Sequence, residues 1–182
     1  MRIHPHYIKL GTNWLRKPFL TLAYQSWLIE KTSLTARLQR SYADFSVQPT
    51  SLKLTKPMQD EATLLRLKPQ QNTLVREVLL MGGNQAVVFA HSVLPLTSLR
   101  GAWRGLGRLG NKPLGAALFK NPRVGRTPLS YKKLSKNHVL YQKAAKHLTA
   151  PPTYMWARRS IFSLNCANIL VTEVFLPNIC HE

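Results

Sequence analysis

Apolar runs of strand length, bounded by turn-forming residues, recur from residue 45 to the end of the chain. The segments TLVREVLLM (73–81) and AVVFAHSVLP (86–95) flank GGNQ, whose glycines and asparagine tolerate positive φ, so they predict a β-hairpin. TYMWARRSIFSL (153–164) and NILVTEVFL (168–176) predict a second, antiparallel hairpin that turns near residues 165–168. FSVQPTSLKLTKP (45–57) predicts an edge strand, because Pro49 lies inside it and lacks a donor for strand pairing.

Helical periodicity dominates the rest of the chain. TLAYQSWLIE (21–30) and SLTARLQRSY (33–42) predict two helices, and Ser33 is a suitable N-cap for the second. Residues 97–119 are helical but interrupted by glycines and Pro113, and residues 127–147 predict a strand followed by a short helix. Helices first and hairpin-linked strands later indicate a single α+β domain over residues 1–182 with a mainly antiparallel sheet.

The composition is that of a folded but very basic protein. Of 182 residues, 45% are hydrophobic and 18% charged, and 26 Lys and Arg face 7 Asp and Glu, a formal charge of +19. Nucleic acid, an anionic membrane surface or a small polyanionic substrate would all be attracted to such a protein. The net charge does not distinguish among these three partners.

The two cysteines and the N-terminus bear on location. Cys166 and Cys180 have neither metal-ligand spacing nor a nearby cysteine, which is typical of free thiols in a reducing compartment. The N-terminal residues 1–20 are basic and interrupt their apolar residues too often for a signal peptide, and no apolar run is long enough to span a membrane. We therefore expect a cytoplasmic protein without a membrane span.

Two sequence patterns suggest functions that the surrounding residues do not support. GLGRLG (105–110) matches GxGxxG, but no apolar strand precedes it and no acidic residue follows until Glu173, so we interpret it as a loop between helical pieces. The six histidines lack metal-binding spacing. We expect no metal and no cofactor.

The segment YKKLSKNHVLYQKAAKH (131–147) mixes basic and aromatic residues, as nucleic-acid-binding surfaces do, but a solvated lysine-rich face is the commoner reason for such a pattern.

Two charged residues lie inside otherwise apolar strands. Glu173 shares a strand face with Ile169, Val171 and Phe175, and the acidic residue before it in the chain is Glu77. Buried carboxylates need a cation or hydrogen-bond donors, so Glu173 is either half of a structural ion pair with an arginine or a site residue. Arg76 likewise lies on an apolar strand face, and two opposite charges on inward faces suggest one site.

Six short segments together resemble the chorismate lyase (chorismate pyruvate-lyase) family. They occur in the family's order between residues 27 and 177: WLIEKTSLTARL, VREVLL, SVLPLTSL, LGNKPLGAALF, WARRSIFSL and LVTEVFLP. The resemblance implies an antiparallel sheet with helical flaps over a buried site. It also implies a cofactor-free lyase that converts chorismate into 4-hydroxybenzoate and pyruvate for ubiquinone synthesis.

The resemblance also implies four site residues. Arg76 falls on the family's substrate-binding arginine and Glu173 on its glutamate, which makes these two the candidate catalytic residues. Leu34 and Leu114 fall on the substrate contacts of the first flap and of the PLG turn. Arg76 would bind the ring carboxylate, because its planar fork donates two parallel hydrogen bonds, and Glu173 would accept from the C4 hydroxyl.

His91 departs from the family pattern, in which an arginine occupies this position. We expect its imidazole to replace that arginine as a substrate contact, with KM rising as pH passes through the ordinary histidine pKa of about 6.5. The alternative is that His91 packs in the core and that Arg158 or Arg159 binds the substrate in its place.

Two other classes of function compete with the enzyme. The same pocket could belong to a non-catalytic module that binds a small aromatic acid, although no helix-turn-helix segment precedes it here. A basic nucleic-acid-binding protein is the third possibility and the one that the pattern supports least. We expect a monomer whose partner is chorismate.

Overall fold

In a computed structural model the chain forms an α+β fold built on one seven-stranded, antiparallel sheet. The structure describes residues 14–68 and 70–180. The strands are β1 (Ser46–Thr55), β2 (Thr73–Gly82), β3 (Gln85–Pro95), β4 (Gly125–Arg126), β5 (Ser130–Ser135), β6 (Tyr154–Leu164) and β7 (Ala167–Phe175). Their order in the sheet is β1-β2-β3-β7-β6-β4, and β5 also pairs with β6.

Short helices connect the strands and cover the sheet. They are α1 (Gln25–Leu28), α2 (Leu34–Ser41), α3 (Gln59–Leu64), α4 (Leu96–Arg100), α5 (Leu114–Lys120) and α6 (Val139–Ala145), with 3-10 helices at Leu22–Tyr24, Leu106–Arg108 and Pro177–Cys180. In the described part of the chain, none of these helices is long and apolar enough to cross a membrane.

The sheet has two covered faces, here called the front and the back. Helices α1 and α2 pack on the front with Val78, Leu80 and Trp156, whose side chains point to one side of their strands. Helix α6 packs on the back against the alternate residues of the same strands, such as Leu79 and Phe89. Successive residues of a strand point to opposite faces, so each charged strand residue belongs to one layer only.

A bulge sets the register of the first hairpin. Gly83 and Asn84 have φ of 59° and 60°, as a two-residue type I′ turn requires. The register then shifts by one residue between Leu80 and Met81, so that Arg76 lies opposite Ser92. A regular continuation of the turn would have placed Arg76 opposite residue 91. The bulge therefore turns His91 to the back face.

Most of the predicted elements are confirmed. Both hairpins form, β1 is an edge strand with a register shift next to Pro49, and the side chain of Ser33 accepts a hydrogen bond from Ala36 N at 3.2 Å. GLGRLG lies in a loop around a 3-10 helix, with Gly105 and Gly110 at positive φ. The sequence did not predict α3 or β4. The interpretation of the N-terminus falls largely on residues 1–13, outside the described residues.

Candidate active site

A cavity lies between the front face of the sheet and the first turns of α2 and α5. The space between the atoms that line it amounts to about 550 Å³, part of which is open to solvent. Its lining residues come from both helices, the loop before α5 and six strands: Leu34, Thr35, Val47, Arg76, Val78, Leu80, Ala90, Ser92, Pro113, Leu114, Gly115, Leu118, Phe119, Arg126, Ser160, Phe162, Val171 and Glu173. Most of these side chains are apolar, so the few charged ones lie within a mainly apolar lining.

Arg76 is fixed at one side of the cavity by the loop that precedes α5. Its Nη2 donates hydrogen bonds to the carbonyl oxygens of Gly110 and Lys112, at 2.9 and 3.0 Å. Burial lowers the pKa of its guanidinium, which nevertheless stays protonated because arginine titrates so far above neutrality. In the described part of the chain the structure gives no hydrogen bond donated by Nε or Nη1 of Arg76. Those donors remain available to a ligand.

Glu173 lines the cavity and also forms an ion pair. Its Oε2 accepts a hydrogen bond from Arg158 Nε at 2.6 Å. Arg158 is completely buried, and its Nη1 donates to the carbonyl oxygens of Trp27, Leu28 and Glu30. Arg158 thus ties the segment before α2 to the carboxylate in the cavity. The sequence presented an ion pair and a site position as alternatives for Glu173. In the structure its side chain forms the ion pair and also lines the cavity.

The roof of the cavity consists of the first turns of α2 and α5. Leu34 and Leu114 begin these helices, and both are buried. The helices touch at Gly115, where an added Cβ would lie 2.7 Å from Thr35 Oγ1. A larger residue at this position would require the Thr35 side chain or one of the helices to shift.

Arg126 is a cavity residue that sequence reasoning missed. Its Nε donates to Ser160 Oγ at 2.8 Å, and its Nη1 donates to the carbonyl oxygens of Lys31 and Thr32. Its guanidinium lies over the ring of Phe162 at 5.1 Å. Burial lowers its pKa, and the charge of Glu173 partly offsets that effect. A two-residue strand leaves no periodic pattern, so only the tertiary pairing of β4 with β6 reveals the position of Arg126.

His91 requires a correction. The structure places it on the back face, where its Nδ1 lies 2.9 Å from Glu77 Oε1 and its Nε2 lies 3.1 Å from Glu61 Oε1. Burial disfavours the imidazolium, but the two carboxylates outweigh burial and raise the His91 pKa to about 9. The expectation that His91 contacts substrate is therefore wrong, because the bulge in the hairpin turns its side chain away from the cavity. Arg159, one of the two arginines that could have bound substrate in place of His91, also faces the back, where it pairs with Asp60.

The structure brings the other four predicted residues to one cavity. Arg76, Glu173, Leu34 and Leu114 all line it. Three arginines and one glutamate cluster here, since Arg126 lines the cavity and Arg158 pairs with Glu173. The formal charge of this cluster is an excess of two positive charges. An apolar cavity with that excess suits a small, flat dianion.

No metal centre accompanies the cavity in the described residues. Within residues 14–68 and 70–180, no group of three or more His, Cys, Asp or Glu side chains is placed to hold an ion. The expectation of a cofactor-free site remains a prediction.

Solved structures define the general class of this fold. The effector domain of PhnF from Mycobacterium smegmatis superposes with a TM-score of 0.56 at 13% identity, covering 81% of this chain and 90% of that chain. A GntR-family transcriptional regulator from Bacillus cereus gives a TM-score of 0.56 at 9% identity, with coverage of 74% and 93%. At these identities the likeness shows the fold alone.

Sequence relatives define the family. The chorismate lyase family model matches residues 12–182. The probable chorismate pyruvate-lyase of Methylobacillus flagellatus is 49% identical over 166 residues, covering 91% of this chain and 93% of the relative. That of Aromatoleum aromaticum is 42% identical over 185 residues, covering 98% and 97%. The chain belongs to the chorismate lyase family.

Proposed function

We propose that this protein is a chorismate pyruvate-lyase, which converts chorismate into 4-hydroxybenzoate and pyruvate. The observation that carries the proposal is the apolar cavity in which Arg76 and Glu173 face the same space, within a cluster whose formal charge is +2. Chorismate is a dianion of the matching charge. Membership of the family supports the same substrate.

Arg76 is the proposed partner of the ring carboxylate. The Gly110 and Lys112 carbonyls occupy its Nη2, and its other donors can meet a carboxylate in the forked geometry that arginine favours. Because the backbone of one loop holds the guanidinium, its orientation is set before the substrate arrives. Preorganised donors of this kind cost little reorganisation when the substrate binds.

Glu173 is the proposed partner of the C4 hydroxyl. In the reaction the C3–O bond of the enolpyruvyl ether breaks, the C4 hydrogen leaves as a proton, and the enolpyruvyl group takes up a proton to become pyruvate. The ring becomes aromatic, which supplies the driving force. Arg158 fixes the Glu173 carboxylate through the 2.6 Å bond. A carboxylate held this way can orient the hydroxyl and the neighbouring C4–H bond toward the departing group.

The leucines and the two helices are the proposed closing elements. Leu34 and Leu114 cover the cavity from above, and their apolar side chains exclude water from the reacting atoms. Helices α2 and α5 would have to separate for the substrate to enter, since they meet directly at Gly115 and Thr35.

Three further statements belong to the proposal. The protein acts as a cytoplasmic monomer, it commits chorismate to ubiquinone synthesis, and nucleic acid is not its partner. The charged cluster that supports the enzymatic reading lies inside a cavity, where a nucleic-acid backbone does not reach.

Incubation of the purified protein with chorismate tests the proposal. We expect equal amounts of 4-hydroxybenzoate and pyruvate, measured by chromatography and by a coupled lactate dehydrogenase assay, with EDTA present and no cofactor added. Folded protein that binds 4-hydroxybenzoate but forms neither product would favour a non-catalytic aromatic-acid-binding module instead.

A further inference from the structure

A second depression, here called the outer groove, lies next to the cavity. It is open to solvent and is lined by Arg16, Lys31, Arg126, Thr127, Pro128, Leu129 and Tyr131. Three of these seven side chains are cationic and none is acidic. Arg126 lines both the outer groove and the cavity, so the two spaces share one guanidinium.

Arg126 is held rigidly at this boundary. Its Nε donates to Ser160 and its Nη1 to the backbone of Lys31 and Thr32, and within the described residues the structure gives no hydrogen bond donated by Nη2. The ring faces of Phe119 and Phe162 lie 5.4 and 5.1 Å from the guanidinium carbon. The guanidinium therefore keeps one donor-bearing nitrogen for a ligand while its plane stays fixed.

Arg126 and Arg76 lie on opposite sides of the cavity. Arg76 is on β2 and Arg126 on β4, and three strands separate β2 from β4 in the sheet. A dianion with carboxylates at both ends can thus meet one arginine at each end. If Arg76 holds the ring carboxylate, the carboxylate nearer Arg126 is that of the enolpyruvyl group, which leaves as pyruvate.

We propose that the outer groove is a binding site for small 2-oxo carboxylates, with Arg126 holding the enolpyruvyl carboxylate in the cavity and Arg16 and Lys31 receiving it as pyruvate. The inference rests on the proposed function. Scattered basic residues are common on so basic a chain, but here three of them line one groove, around an arginine that also lines the cavity.

Direct binding of sodium pyruvate tests the outer groove without turnover. The variant Arg16→Gln/Lys31→Gln removes two groove cations and leaves every cavity-lining side chain in place. The control Arg40→Gln/Lys53→Gln removes the same charge from exposed positions that line neither space. Calorimetric titration should give a Kd for pyruvate about five- to tenfold weaker in the groove variant than in the control, as expected for the loss of charged partners.

Binding of 4-hydroxybenzoate serves as the internal reference. Its Kd should stay within about twofold of the wild-type value in both double variants, because the cavity is untouched. Lys31→Gln alone, at an exposed position, provides a second test if the double variant folds poorly, with an expected loss of about threefold for pyruvate. Equal pyruvate affinity in the groove and control variants, or no pyruvate binding by the wild-type protein, would overturn the proposal.

The two proposals fail in distinguishable ways. A protein that binds pyruvate in the groove but makes no product from chorismate would remove the lyase function and keep the site. A protein that turns over chorismate but binds pyruvate equally in both double variants would keep the lyase and remove the groove site.

Discussion

The front and back faces of the sheet both bury charged side chains, but they balance these charges differently. On the back, His91 contacts Glu61 and Glu77, Lys143 contacts Glu77, and Arg159 contacts Asp60. Three carboxylates therefore meet three basic side chains. On the front, Arg76, Arg126 and Arg158 have Glu173 as the carboxylate of their cluster.

The difference indicates which face is built for a ligand. Buried charges are costly unless they are paired, and the back face pairs them within the protein itself. On the front, backbone carbonyls hold the arginines without neutralising them, as the bonds of Arg76 and Arg126 show. An anion from outside can supply the missing charge. Residues adjacent in sequence therefore lie on opposite faces of the sheet. Arg76 is on the front and Glu77 on the back, and Arg158 is on the front and Arg159 on the back.

The largest expected effect concerns stability on the back face. His91→Gln removes the base between Glu61 and Glu77 and should lower the free energy of unfolding by about 3 kcal/mol at pH 6, near the lower end of the cost of breaking a buried ion pair. The folded pKa of about 9 exceeds the ordinary value of about 6.5. The stabilisation by His91 is therefore complete below pH 6.5 and disappears as pH rises through 9.

Urea unfolding of wild type and His91→Gln between pH 6 and 9.5 measures this effect. The difference in unfolding free energy should shrink as pH rises through the folded pKa of His91. The pH profile of KM should be the same for wild type and His91→Arg, since residue 91 is outside the cavity. A KM profile that changes in His91→Arg would break the distinction between the two faces.

Substitution on the front face should affect catalysis. Arg76→Ala should lower kcat/KM by about 2–4 kcal/mol, or about 30- to 1,000-fold, because a buried carboxylate of the substrate would lose its partner. Glu77→Gln, one residue later but on the back face, should lower stability and leave kcat/KM within about threefold. Steady-state kinetics on folded protein decides between them. Comparable losses of kcat/KM in both variants would contradict the assignment of separate roles to the two faces.

The sequence predicted much of the sheet, because period-two patterns and turn residues act locally. The hairpins around Gly83 and Asn165 follow from their own residues. The same periodicity grouped Arg76 with Glu173, because each is a charge on an otherwise apolar strand face, and both side chains line the cavity. Leu34 and Leu114 came from the resemblance alone, because an apolar residue in a helix gives no sign of a ligand.

What the sequence missed depends on register and on distant pairing. One inserted residue in β3 places His91 on the back face, and nothing in GGNQ or the flanking strands signals that bulge. Helix α3 has only six residues, too short for a periodic signal, yet it brings Glu61 to His91 from 30 positions away. Arg126 lies in a strand of two residues whose position is set by β6.

The smallest expected effect tests how tightly the roof of the cavity closes. Gly115→Ala would place a methyl group 2.7 Å from Thr35 Oγ1 and 3.4 Å from Thr35 Cβ, so the Thr35 side chain or the two helices must shift. Alanine favours a helix over glycine by about 1 kcal/mol, so helix propensity alone would stabilise α5 in this variant. We expect the affinity for 4-hydroxybenzoate to fall about fivefold in Gly115→Ala.

Thr35→Ala removes the obstructing oxygen, and the double variant should recover most of that affinity, with a coupling of about 1 kcal/mol in the double-mutant cycle. Titration of the four proteins with 4-hydroxybenzoate gives this coupling, and purely additive losses would mean that the contact between Gly115 and Thr35 does not govern closure.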